Sequence, residues 1–138
     1  MGEVNYLAVI AATFIAAALG ALWYSPVLFA EAWMKANGHT PEKMEAMKNV
    51  RSPAVAVAVS VVCNLAIAFV IALLSVWIGI AGWMEGLGLG LLIWAGFAAP
   101  LALSANMFSG KPLAAFVIDA SYQFVYLALM GLVIGFWR

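Results

Sequence analysis

Four apolar stretches, each long enough to cross a lipid bilayer, constrain this chain more than any other feature. A transmembrane helix needs about 20 mostly apolar residues, because the hydrocarbon core of a bilayer is roughly 30 Å thick. The four stretches run over residues 6–29, 53–78, 84–108 and 112–137. We therefore predict an all-α membrane protein in which the whole chain forms one domain, a bundle of four transmembrane helices.

The balance of charged and apolar residues supports this prediction. Charged residues make up 9% of the chain and hydrophobic residues 67%, whereas a soluble domain has about a quarter of its residues charged. Membrane lipid is therefore the first expected partner. The net charge of zero argues against nucleic acid, which calls for a clustered basic face. Cys63 and His39 are each the only residue of their type, so we expect no disulfide within the chain, no metal site and no cofactor.

The polar connection over residues 30–52 predicts two short helices between the first two spans. The first ends at Asn37 and Gly38, and the second begins at Thr40, with a proline in its first turn. Apolar side chains share one side of this second helix. The pattern fits either an amphipathic helix lying on the membrane surface or a helical hairpin packed on the bundle.

The distribution of basic residues predicts the orientation of the chain. Two connections, 30–52 and 109–112, carry nearly all of them, and Arg138 is the exception on the opposite side. The residues concerned are Lys35, Lys43, Lys48, Arg51 and Lys111. Under the positive-inside rule these connections are cytoplasmic and both termini lie outside. We accordingly expect a multi-pass protein of the cell membrane.

Small residues recur four apart in every predicted span, which indicates close helix packing. Four polar side chains, those of Asn64, Asn106, Asp119 and Gln123, lie on these small-residue stripes. Polar groups in a membrane face other helices, because lipid cannot satisfy their hydrogen bonds. With so much surface suited to close approach, we also expect a homo-oligomer.

Asp119 is the only ionisable residue well inside a predicted span. A carboxylate at the bilayer centre costs about 2.5–3.5 kcal/mol on insertion scales, which makes such a residue a candidate functional group. Counting depth along the spans predicts a polar cluster around it, formed by Ser25, Asn64, Asn106, Tyr122 and Gln123. Three interpretations stay open: hydrogen bonding between helices, a proton or cation site, and a site for another ligand.

Some of these residues also carry a family resemblance. The element Trp23-Tyr24-Ser25-Pro26, and later the stretch from Asn106 through residues 119–122, resemble the opening and closing motifs of domain-of-unknown-function family 1761. The resemblance implies a small multi-pass membrane protein, typically of the bacterial inner membrane, and implies no activity. From the residues alone, the element at 23–26 is an interfacial anchor that ends or kinks the first helix before the proline.

Two classes of function remain. A small homo-oligomeric carrier, coupled to protons or cations, would use Asp119 and take a small cationic or amphiphilic solute. A non-transporting scaffold, or a module that binds lipid or a protein partner, would use the polar residues for packing. We do not expect an enzyme, because the sequence offers no nucleophile with a base, no paired carboxylates and no metal motif. We favour the carrier because Asp119 is costly to bury.

Overall fold

The computed structural model describes residues 2–137, and these form helices joined by turns and short connections, without a strand. Met1 and Arg138, the latter used in the orientation prediction, lie outside the described residues. Four helical spans of 18 to 26 residues are apolar enough to cross a membrane, which confirms the all-α membrane fold. The elements are α1 (Tyr6–Trp23), α2 (Ala30–Ala36), α3 (Pro41–Val50), α4 (Pro53–Ile78), α5 (Trp83–Ile93), α6 (Ala99–Phe108) and α7 (Leu113–Phe136). A π-helical turn, Trp94–Ala98, joins α5 to α6 within the third span.

The first helix is shorter than the apolar stretch that encodes it. The predicted span runs to residue 29, but α1 ends at Trp23 and the chain turns back on itself. Ser25 precedes Pro26, and the ring of a proline disfavours helical backbone in the residue before it. The carbonyl of Ser25 instead accepts hydrogen bonds from the amides of Leu28 and Ala30, which lead into α2. This turn brings the connection back over the bundle.

At one end of the bundle, which we call the terminal end, the start of α1 and the end of α7 lie beside the turn between α4 and α5. The side-chain amide of Asn5 donates to the carbonyl of Trp137 at 2.7 Å. Here α5 and α7 approach so closely that a Cβ added to Gly86 would meet the carbonyl oxygen of Gly131, and one added to Gly131 would meet that of Gly86. Close backbone approach of this kind supplies the association that lipid does not drive.

At the opposite end, which we call the loop end, residues 24–52 and 109–112 connect the spans and the packing is open. Every residue of α4 from 53 to 60 is exposed, and its first buried side chain is that of Asn64. In α6, all of which is described, Asn106 alone is buried. Of the two connecting helices, α2 contacts α7, and neither α2 nor α3, both fully described, has a buried side chain. At this end, the first half of α4 and most of α6 are therefore not packed tightly against α7.

Candidate functional site

Three tryptophan indoles converge on one short segment of α7, residues 118–120. Trp23, Trp33 and Trp94 donate in that order to the carbonyl of residue 118, the carboxylate of residue 119 and the carbonyl of residue 120. The distances from the indole nitrogens to these oxygens are 3.2, 3.1 and 2.9 Å. The donors come from the end of α1, from α2 and from the π turn. This segment of α7 is thus fixed by three separate elements.

The carboxylate of Asp119 is held on one oxygen and open on the other. The phenol of Tyr24 donates to its Oδ1 at 2.6 Å, and the indole of Trp33 donates to the same atom. Hydrogen bonds to a carboxylate are shorter and stronger than those between neutral groups. The other oxygen, Oδ2, accepts no hydrogen bond from a described residue, and none of the described cations lies within 4.0 Å of either oxygen. The chain itself therefore does not neutralise this charge.

Tyr24 lies one residue past the end of α1, beside this carboxylate. Burial, and then the hydrogen bond to Asp119, raise the pKa of the Tyr24 phenol above its ordinary value. The phenol consequently keeps its proton and remains a donor to Asp119 at neutral pH.

The Tyr122 side chain, one turn beyond Asp119 on α7, joins α7 to α1. Its hydroxyl donates to the carbonyl of Ala16 at 3.1 Å, and its ring meets that of Tyr24 edge-on with centroids 5.4 Å apart. Gly20 makes room for it, because a Cβ at that position would lie 2.7 Å from the hydroxyl oxygen. The aromatic groups around Asp119 are therefore packed against one another as well as hydrogen-bonded.

Asp119 lines two clefts at the loop end. The first, the aromatic cleft, has a volume of about 630 Å³ and lies between α7, the connection and the exposed first half of α4. Its principal lining residues are Tyr24, Trp33, Met34, Met44, Ser60 and Asp119. A neighbouring cavity of about 390 Å³ shares Tyr24 and Ser60 and extends along α4 towards Tyr122. Together they leave a route from the side of the bundle to the carboxylate.

The second cleft, the amide cleft, has a volume of about 200 Å³ and lies between α6 and α7. Its polar lining residues are Asn106, Ser109, Lys111, Asp119 and Gln123. The side-chain oxygens of Asn106 and Gln123 are both buried, and neither has a hydrogen-bond partner among the described residues. An acceptor left in this state is unfavourable unless a donor or a cation fills the space beside it.

The structure brings together most of the residues that the sequence placed near Asp119. Asn106 and Gln123 share the amide cleft with it, and Tyr122 packs against its partner Tyr24. Asn64 is buried where α4 joins the bundle, and its side chain interacts with that of Tyr122, although its amide nitrogen makes no hydrogen bond of good geometry with a described residue. Ser25 takes a local role instead. Its hydroxyl donates to the carbonyl of Leu22 at 2.7 Å, and it is not among the described residues that line either cleft.

Sequence reasoning missed the residues that hold Asp119 in place. Tyr24 was noted as part of the family motif, but its hydrogen bond to the carboxylate was not predicted. Trp33 was not singled out as a polar contact, because tryptophans near span ends usually anchor a helix at the lipid interface. Trp94 lies in the middle of the third span, where its apolar ring gave no sign of a polar contact. The available signal was the family motif, which pairs the Trp-Tyr element of the first span with Asp119 and Tyr122 of the last.

Comparison with known proteins finds one family that covers most of the chain. A family model described as "Protein of unknown function (DUF1761)" matches residues 7–135. Nothing matches among the curated proteins or the solved structures. The matched range includes the motif at 23–26, the connection and both clefts around Asp119.

Proposed function

Because the chain belongs to the DUF1761 family, whose description gives no function, we propose from its own geometry that it is a small membrane carrier which binds a cationic amphiphilic solute at Asp119. One observation carries this proposal. The carboxylate lines two clefts, on two sides of α7, and no described cation of the chain pairs with it. A partly buried carboxylate without a counter-charge is stabilised by a cation from outside the chain.

The lining of the aromatic cleft suits an organic cation with an apolar body. Tyr24 and Trp33 offer aromatic rings, whose faces attract cations, and Asp119 supplies the full negative charge. Met34 and Met44 add flexible thioether side chains, which adapt to ligands of irregular shape. The volume of about 630 Å³ falls within the range of ordinary small-molecule sites.

The open wall beside α4 supports entry of such a solute from the membrane. Residues 53–60 of α4 are exposed on all sides, so the aromatic cleft opens laterally as well as at the loop end. Under the positive-inside rule this end is cytoplasmic. At the terminal end, α5 and α7 are packed in backbone contact at Gly86 and Gly131. Alternating access then requires one body to move against another, and we propose that the carrier works as a homo-oligomer for this reason.

Binding of tetraphenylphosphonium, an apolar organic cation, tests the proposal directly. Titration calorimetry on the purified protein in detergent should detect binding to the wild type. Asp119→Asn should weaken the affinity about tenfold or more, because a charge-assisted contact is lost. Glu85→Gln removes the same charge at the terminal end and is the matched control, for which unchanged affinity is expected. Equal affinities for the wild type and Asp119→Asn would contradict the proposal.

Transport itself needs a second measurement in proteoliposomes. Uptake of tetraphenylphosphonium above the passive uptake of protein-free liposomes should follow an imposed proton or sodium gradient with the wild type, and this excess should be lost with Asp119→Asn. If the protein binds tetraphenylphosphonium but shows no gradient-dependent uptake, the solute site is supported and the carrier function is contradicted.

A non-transporting scaffold is the second candidate, and the hydrogen bonds of Asp119 favour it. Its Oδ1 already accepts from Tyr24 and Trp33, so the residue also serves to join the connection to α7. If this is its whole role, Asp119→Asn should lower the melting temperature while the wild type binds no tetraphenylphosphonium. A protein or lipid partner would then have to be sought.

A further inference from the structure

We propose that the amide cleft binds a monovalent metal cation, with sodium as the best fit, through the side-chain oxygens of Asn106 and Gln123 and the carboxylate of Asp119. The use of this site to drive a carrier rests on the proposed function above. The site itself rests on the atoms of the cleft.

Asn106 supplies the first oxygen, and its orientation is determined by its neighbour. Its amide nitrogen donates to the carbonyl of Pro112 at 3.2 Å. Because a carbonyl needs a donor, this contact decides which end of the amide is oxygen. The residue is 7% exposed, and its Oδ1 has no partner among the described residues. A buried amide oxygen therefore remains available beside the cleft.

Gln123 and Asp119 supply the other oxygens from α7. They are four residues apart, so their side chains lie on the same face of the helix, and both line the cleft opposite Asn106. The Oε1 of Gln123 is buried and also has no partner among the described residues. Amide and carboxylate oxygens are the ligands that hard metal cations prefer. A volume of about 200 Å³ leaves room for waters, each of about 30 Å³, to complete the coordination.

The charge of the site selects a monovalent ion. Asp119 brings one negative charge, which a single positive charge neutralises, whereas a divalent ion would leave a net charge within the membrane. In the described part of the chain, no three His, Cys, Asp or Glu side chains group into a metal site, so a transition metal does not fit. Lys111 also lines the cleft but is itself exposed, and it lies beyond 4.0 Å from the described carboxylate oxygens.

Sharing of one carboxylate couples the two clefts. A sodium ion in the amide cleft and an organic cation in the aromatic cleft would both depend on the charge of Asp119. With both bound, one negative charge would face two positive charges, so each cation weakens the binding of the other by the same factor. The expected behaviour is exchange of one cation for the other.

The melting temperature of the purified protein, measured while sodium chloride replaces N-methyl-D-glucamine chloride at constant ionic strength, tests the site. Binding to the native state should raise the wild-type melting temperature as sodium increases. Gln123→Met keeps the size of the side chain but removes the oxygen, and should abolish this rise. Gln123→Glu keeps an oxygen and should retain it. Equal wild-type melting temperatures in sodium and N-methyl-D-glucamine overturn the proposal, whether or not the variants fold.

Competition separates this proposal from the proposed function. In buffer without sodium, wild type and Gln123→Met should bind tetraphenylphosphonium equally, and sodium should then weaken binding to the wild type alone. If tetraphenylphosphonium binds but sodium neither stabilises nor competes, the sodium site is wrong and the solute site stands. If sodium stabilises the wild type and tetraphenylphosphonium does not bind, the sodium site is supported and the carrier function fails.

Discussion

The terminal end of the bundle is held together by glycines, whereas the loop end is held together by aromatic hydrogen-bond donors. At the terminal end, the backbones of Gly86 and Gly131 touch and leave no space for a methyl group. At the loop end, Trp33 and Tyr24 reach across to Asp119, and clefts remain on both sides of α7. Neither end can use a hydrophobic drive in lipid. Backbone contact packs two helices without a cavity between them, whereas long polar side chains hold helices together at a distance that leaves room for a ligand.

The largest effect is expected from adding a methyl group at the terminal end. Gly86→Ala would bring a Cβ against the carbonyl oxygen of Gly131 and 2.9 Å from the Cα of Gly135. Since backbone cannot move aside as a side chain can, the helices must separate. This should lower the free energy of unfolding by about 1–3 kcal/mol or more. Thermal melting in detergent measures the loss.

Gly88 provides the matched control in the same helix. A Cβ at Gly88 would meet no described atom within 4 Å, so Gly88→Ala should be neutral or stabilise by about 0.5–1 kcal/mol through its helix preference. If Gly86→Ala melts at the same temperature as Gly88→Ala, glycine contact does not hold the terminal end.

Removing one indole donor from the loop end should have the next largest effect. Trp33→Phe keeps an aromatic ring but removes the hydrogen bond to the carboxylate of Asp119. A bond to a charged group contributes about 1.5–3 kcal/mol, and we expect the lower part of this range because the donor is only partly buried. Trp77→Phe, at a residue 70% exposed, is the control. Equal melting temperatures for the two variants would argue that the bond to Asp119 contributes no stability.

The same glycine-to-alanine change should be tolerated better at the loop end. Gly20→Ala would place a Cβ 2.7 Å from the Tyr122 hydroxyl, which is the tip of a side chain and can move. The hydrogen bond from Tyr122 to Ala16 would be lost, at about 1 kcal/mol, and the helix preference of alanine offsets part of this. If Gly20→Ala melts at as low a temperature as Gly86→Ala, the proposed difference in packing between the two ends is contradicted.

The smallest effect on stability is expected on the exposed half of α4. Ala56 is exposed and lines the aromatic cleft, so Ala56→Leu should change the free energy of unfolding by less than about 0.5 kcal/mol. Its larger side chain should nevertheless weaken tetraphenylphosphonium binding by occupying the cleft. Ala68→Leu, at a residue with 0% exposure in the same helix, should instead destabilise through overpacking. Calorimetry and thermal melting on both variants check this difference.

The sequence was sufficient for the spans and for part of the site, for physical reasons. Bilayer thickness fixes helix length, and counting depth along the spans places Asn106 and Gln123 level with Asp119. The roles of Trp33 and Trp94 were not predictable in this way. The contact of Trp33 depends on how the chain folds back after Trp23, and that of Trp94 depends on the π turn. Neither feature produces a periodic pattern in the sequence. The orientation and the homo-oligomer stay predictions.

The π turn in the third span also changes which side of that helix meets α7. In an unbroken α-helix of 3.6 residues per turn, Asn106 would lie about 160° around the axis from Gly90. One residue absorbed by the wider turn at Trp94–Ala98 reduces this angle to about 60°. The π turn thus rotates the second half of the span about the helix axis relative to the first half. As a result, the first half presents glycines to α7 and the second half presents an amide to the same helix.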